Sequence, residues 1–230
     1  MGIFSILRII HIAAGATAFL VAPIAMIVKK GGTAHRRWGL VFFWAMTVVA
    51  ITAAIMAPLH KNLFLLMVSV FSFYLAFTGY RSLFRKKAFK TKKVAFIDWF
   101  FAILTISFSS GLFIFGISKM PNGMGVVAAV FGALGTALAY KEIRGFLKPS
   151  PDPQKWFFDH MLGMITAYIA AVSAFSAVNL NYDWMPPVIQ WLWPTIIGIP
   201  LMRRWMGSYK AKFSKGKKVK ELVEVRIESE

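Results

Sequence analysis

The sequence predicts an all-α polytopic membrane protein, a bundle of seven transmembrane helices with the N-terminus outside and the C-terminus in the cytoplasm. Three observations lead there: an apolar composition, seven charge-free runs of spanning length, and basic residues that fall on one side of those runs. Of the 230 residues, 58% are hydrophobic and only 16% are charged, where soluble domains carry about a quarter charged residues. One soluble core of this size cannot hide that much apolar surface, so the chain needs a bilayer as its solvent.

The runs cover Ile9 to Val28, Trp38 to Leu59, Asn62 to Tyr80, Trp99 to Ser118, Met120 to Tyr140, His160 to Tyr182 and Trp184 to Met202. Each approaches the roughly 20 residues that a helix rising about 1.5 Å per residue needs to cross about 30 Å of hydrocarbon. Barrel strands would alternate over about ten residues, whereas these runs are continuous. The first run is too long for the core of a signal peptide, and Lys29 and Lys30 stand where a cleavage site would be, so it reads as a retained span. The turns after the second and fourth runs, at His60-Lys61 and Pro121-Asn122-Gly123, leave no room for a soluble domain. Residues 1–208 therefore form the membrane domain and 209–230 a basic, then acidic, cytoplasmic tail. Small residues on the fifth run (Ala128, Gly132, Thr136) and the sixth (Ala170, Ala174, Ala177) predict close helix contacts. Pro194 and Pro200 interrupt the hydrogen-bond ladder of the seventh and predict a kink there.

Charge sets the direction. The formal charge is +18, and 24 of the 27 basic residues fall in the connections after the first, third and fifth runs and in the tail. Only Arg8, Lys61 and Lys119 lie opposite, so the basic side is cytoplasmic and the cell membrane is the expected location. A basic excess arranged in this way is a topological signal and argues against nucleic-acid binding. The lysines from Lys210 to Lys220 suit anionic lipid headgroups. The absence of cysteine excludes disulfides, iron–sulfur clusters, thiolate zinc sites, thiol nucleophiles and covalent haem attachment.

The four histidines fall into two tiers. His11 and His60 lie toward the outer side and are candidates to hold a cofactor; Gly15, Ala18 and Ala22 continue the His11 face, which turns it into the bundle. The plainer reading makes His11 a partly hydrated histidine bonded to a neighbouring backbone group or serine and leaves His60 solvated. His35 and His160, with Asp98 and Asp159, lie toward the cytoplasm and contain the donor types of a divalent-metal or proton-handling cluster. Against that, acids in the first turn of a helix interact favourably with its dipole and can pair with nearby arginines and lysines.

The stretches His11-Ile12-Ala13-Ala14-Gly15, Thr33-Ala34-His35-Arg36-Arg37-Trp38-Gly39, Phe71 to Arg81 and His160 to Asn179 together resemble a family of bacterial integral membrane proteins known only as a domain of unknown function. The resemblance spans the first six runs, implies a multi-pass membrane fold, and draws attention to His11, His35, Arg36, Gly39, Arg81, His160 and Asn179 without assigning them roles. Three activities are compatible with the residues. The first is a redox role on haem b or a metal, with His11 and His60 differing in depth by about one turn. The second is a small-molecule or proton-coupled transporter of three, one and three helices, with Ser72, Asn179 and Gln190 lining the pathway. The third is a metal-dependent intramembrane hydrolase. A retinal Schiff base is excluded because the last run has no lysine, and nucleotide hydrolysis because the chain has no phosphate-binding loop.

Overall fold

A computed structural model describes residues 2–86, 93–180 and 182–223. Lys87, Lys90 and Lys92 of the basic third connection, and the end of the tail from residue 224, lie outside the described residues. The described residues are all-α. The long helices are α1 (Ile3–Ile27), α2 (Thr33–Leu59), α3 (Leu63–Arg81), α4 (Phe96–Ser118), α5 (Gly123–Leu147), α6 (Lys155–Asn179) and α7 (Pro187–Ser214). A 3-10 turn, Ser82–Arg85, follows α3, and a short α8 (Val219–Leu222) ends the described chain.

Helices α1 to α6 are each long and apolar enough to cross a membrane. Large apolar side chains such as Leu20, Ile55, Ile103, Ile114, Phe175 and Ile196 face outward rather than into the bundle, the arrangement expected of a protein surrounded by lipid. The seventh helix differs from that pattern. Gln190, Pro194 and Pro200 dilute its apolar stretch, and Arg203 and Arg204 close it. Most helices reach past the charge-free runs because helix-compatible polar residues extend them. α2 begins at Thr33, before Arg36 and Arg37, and α7 continues to Ser214, so the first part of the predicted tail is helical. There Tyr209 and Phe213 pack on Phe157 at the start of α6. The helical assignment runs unbroken across Pro194 and Pro200.

Local signals fix several ends. Asn62 accepts a hydrogen bond from the Leu65 amide, and Asn122 from the Met124 amide, at 3.1 and 2.9 Å, satisfying donors that a helix start leaves open. Gly31, at φ 75°, makes the turn between α1 and α2 in a region that suits glycine.

Two sequential hairpins, α1–α2 and α4–α5, are extensively packed, and α3 stands between them against α2, α4 and α6. α6 also packs on α7 and more lightly on α1. The small-residue ridge expected on α5 is present: Ala128 is fully buried, and a Cβ added at Gly132 would lie 2.3 Å from the Phe113 amide nitrogen. Gly116, facing it from α4, would place a Cβ 2.2 Å from the Ala129 nitrogen. The ridge expected on α6 is displaced. Ala174 is exposed, and the contact face is Gly163, Ala167, Ser173 and Ser176. Gly163 meets Gly79 of α3 so closely that a Cβ on Gly163 would lie 2.5 Å from the Gly79 Cα.

These contacts make glycine a requirement at particular positions. Gly163→Ala is expected to destabilise the folded protein by about 1–3 kcal/mol through overpacking. Gly39→Ala, where a Cβ meets nothing within 4 Å, should be neutral or stabilising by up to about 1 kcal/mol. Thermal melting of both variants in detergent checks this, and equal melting temperatures would contradict it.

Candidate functional site

The α1–α2 hairpin sets the outer tier. Its antiparallel register brings His11 to Thr52, Gly15 to Val49 and Phe4 to His60. The Thr52 hydroxyl donates to the carbonyls of Val48 and Val49 at 2.7 and 3.0 Å. Its oxygen also lies 2.9 Å from His11 Nδ1, which pins the imidazole to α2. His60 closes the C-terminal end of α2 and packs edge-on against the Phe4 ring at 4.4 Å. His11 is thus level with Thr52, eight residues before His60 on the same helix, or about 12 Å along its axis. The two histidines lie about two turns apart rather than one. Two imidazoles that share a metal must bring their nitrogens within about 4 Å of each other, since each metal–nitrogen bond is about 2 Å. His11 and His60 do not fit a common haem, and no redox step is derived through them.

At the inner tier, two histidines 125 positions apart converge. The rings of His35, on the first turns of α2, and His160, on those of α6, have centroids 6.1 Å apart and planes at 73°. His35 Nδ1 donates to the Ala25 carbonyl of α1 at 2.9 Å, and His160 Nδ1 to the Gly79 carbonyl of α3 at 2.8 Å. A carbonyl can only accept, so both protons sit on Nδ1 and both Nε2 atoms are left as bases. The Gly79 carbonyl also accepts from the Ser82 hydroxyl at 2.7 Å. The pair therefore joins α1, α2, α3 and α6 at a single point.

The two aspartates expected beside these histidines are engaged elsewhere. Asp98, 2% exposed in the first turn of α4, receives both arms of the Arg81 fork, from Nε at 2.8 Å and Nη2 at 2.9 Å. Asp159 pairs with Lys155 one turn earlier on α6. Among the described residues no three His, Asp or Glu side chains are placed to hold a metal ion together, so the four residues His35, His160, Asp98 and Asp159 do not form one ligand set. A two-histidine, two-carboxylate centre does not fit.

The expected pathway residues lie on three different helices, α3, α6 and α7. Asn179 donates to the Phe175 carbonyl within its own helix, Gln190 donates to the Met185 carbonyl, and Ser72 stands half-buried on α3. The three-one-three repeat predicts that α5 packs on α6 as α1 packs on α2, yet α5 lies along α4.

Two features were not marked by the sequence reading. Glu142 of α5 pairs with Arg85 at 2.5 Å; as one of only nine acidic residues in a basic chain, it carried a signal in its rarity. Thr52, which fixes His11, carried none. A ring of cation–aromatic contacts also marks the basic end, with Lys30 over Trp205, Arg85 over Phe146 and Lys86 over Trp156.

No family model, curated protein or solved structure matches this chain.

Removing one partner of the Arg81–Asp98 pair leaves a partly buried charge without its counter-ion. Asp98→Asn is expected to cost about 3 kcal/mol, and Arg81→Met combined with Asp98→Leu should recover most of that loss. Chemical or thermal unfolding of the single and double variants measures it, and a double variant no better than the single would contradict the account.

Proposed function

We propose that this chain is a multi-pass protein of the cytoplasmic membrane, with its N-terminus outside and its C-terminus inside, and that it works as a proton-coupled transporter of a small solute. In this reading all seven long helices cross the bilayer, and His35 with His160 is the proton-handling pair. The family resemblance of the histidine motifs belongs to the same reading, as does contact of Arg203, Arg204, Lys210 and Lys212 with anionic headgroups.

The observation that supports it is the inner histidine pair. Each imidazole has its Nδ1–H committed to a backbone carbonyl and its Nε2 available as a base. Two imidazolium ions at 6.1 Å would repel by roughly 3 kcal/mol at an effective dielectric of about 20, so the pair disfavours holding two extra protons at once. Because its hydrogen bonds reach α1 and α3 as well as α2 and α6, gaining or losing a proton changes the charge at a junction of four helices. Coupling a proton to a change in helix packing requires a titratable group at such a junction.

Reconstituted protein is expected to take up protons under a potassium diffusion potential, read by a pH dye inside the vesicles. His160→Gln and His35→Gln should each lower uptake to the rate of protein-free vesicles. Wild-type uptake in both variants would overturn the reading. A fluorescent protein fused to the C-terminus should fluoresce, and alkaline phosphatase fused there should be inactive; the reverse would overturn the orientation.

A further inference from the structure

The basic end contains two cavities, of about 60 and about 30 Å³, that share lining residues. The outer one opens beside the Ser82–Arg85 turn and the connection into α6, and its lining includes Lys86, Asp152 and Lys155. The inner one reaches between α3, α5 and α6 and is lined by Tyr74, Thr78 and Thr166. Glu142 and Asp159 line both and so stand where the two spaces meet. Both exceed the roughly 10–15 Å³ that a first water needs, so the sizes suit a few waters and no organic ligand.

A second, independent observation indicates that the inner cavity is wet. Tyr74 is 2% exposed, and its hydroxyl has no hydrogen-bond partner in the protein. Most buried hydroxyls are partnered; Thr105, Ser109 and Ser173 are orphaned here as well, and Tyr74 differs from them in lining a cavity large enough for water. The inner cavity is lined by sequence neighbours of His160 and of its acceptor, though not by either histidine. Asp159, Leu162 and Gly163, which line it, flank His160 on α6. Thr78, which lines it from α3, precedes Gly79, whose carbonyl accepts from His160.

We propose that the two cavities form one hydrated vestibule open to the basic face, and that Glu142 carries protons through it between bulk water and the His35–His160 pair. This rests on the proton-handling reading of that pair. The carboxylate takes a proton from hydronium at the mouth and releases it to the inner waters, which deliver it to an imidazole Nε2; the return passage reverses each transfer. The charged and titratable groups around Glu142 are Arg85, Lys86 and Tyr74 from α3 and its turn, Lys141 from its own helix, and Asp152, Lys155 and Asp159 from α6 and the connection before it. Arg85 pairs with Glu142 at 2.5 Å, so the pair must loosen for each transfer and acts as the gate.

The chain has no cysteine, so single thiols can be introduced without background. Thr166→Cys and Leu138→Cys, both lining the inner cavity, should exchange S–H for S–D rapidly in deuterium oxide, read from the S–H stretch in the infrared. Leu112→Cys, fully buried and lining neither cavity, should exchange slowly. Exchange at Thr166→Cys and Leu138→Cys as slow as at Leu112→Cys would overturn the vestibule. In the proton-uptake assay, Glu142→Gln should slow the rate at least tenfold and Glu142→Asp should restore most of it. Because the neutral variant leaves Arg85 unpaired, Arg85→Gln with Glu142→Gln provides a second test and should be equally slow. Normal uptake in either neutral variant, with His160→Gln inactive, would overturn the role of Glu142 alone. Normal uptake in His160→Gln would overturn the transporter reading and with it the proton delivery, while the thiol exchange still decides whether the vestibule is hydrated.

Discussion

The crossing of α3 and α6 at Gly79 and Gly163 is the constraint on which the rest of the bundle depends. Lipid offers helices no hydrophobic reason to associate, so contact must come from close packing and from polar bonds. Here both are present at one place: backbones that leave no room for a Cβ, and a hydrogen bond from His160 to the Gly79 carbonyl at 2.8 Å. α3 also packs on α2 and α4, and α6 on α1 and α7, so this crossing joins the two halves of the chain. Had either glycine been larger, His160 would stand away from its carbonyl acceptor, and the inner histidines would lose their mutual position.

Polar groups are distributed unevenly along the axis. The outer tier is a local arrangement within one hairpin, His11 on Thr52 and His60 on Phe4, and its parts are separated by two helical turns. The inner tier draws on distant parts of the chain and is surrounded by ion pairs, Arg81 with Asp98, Arg85 with Glu142 and Lys155 with Asp159. The acids scarce in this chain are concentrated where the cations are most dense. That arrangement compensates individual charges while leaving the net charge of this end positive.

The fold was more legible than the site, for a physical reason. Helix existence follows from hydropathy, which is local, and the charge-free runs located every long helix. Their ends were misplaced because a helix does not stop where the hydrocarbon does: Arg36, Arg37, Lys210 and Lys212 all continue helical structure. The α5 ridge was readable because small residues recur on one face. The α6 ridge was misread because two small-residue faces coexist there, one with alanines and one with Gly163, Ala167, Ser173 and Ser176, and only the partner helix distinguishes them. The convergence of His35 and His160 was visible as a shared depth. What each nitrogen bonds to was not, because the acceptors are backbone carbonyls, which every residue has. The proximity expected of His11 and His60 failed on the same ground, since depth estimated from distant charges is too coarse to resolve a register set by Gly15 against Val49.

The glycine-lined packing of α4 against α5 bears on how the chain reaches this state. Both intimate hairpins, α1–α2 and α4–α5, join helices adjacent in sequence, so each can associate as soon as its second helix leaves the translocation machinery. The bond from His160 to Gly79 closes a loop of 81 residues and must wait until α6 is made. Assembly then proceeds as two early pairs followed by one late closure, which orders the inner histidines last. Force-probe unfolding from the C-terminus should show the reverse order, with α6 and α7 extracted before either hairpin, and a hairpin leaving first would contradict that sequence of events.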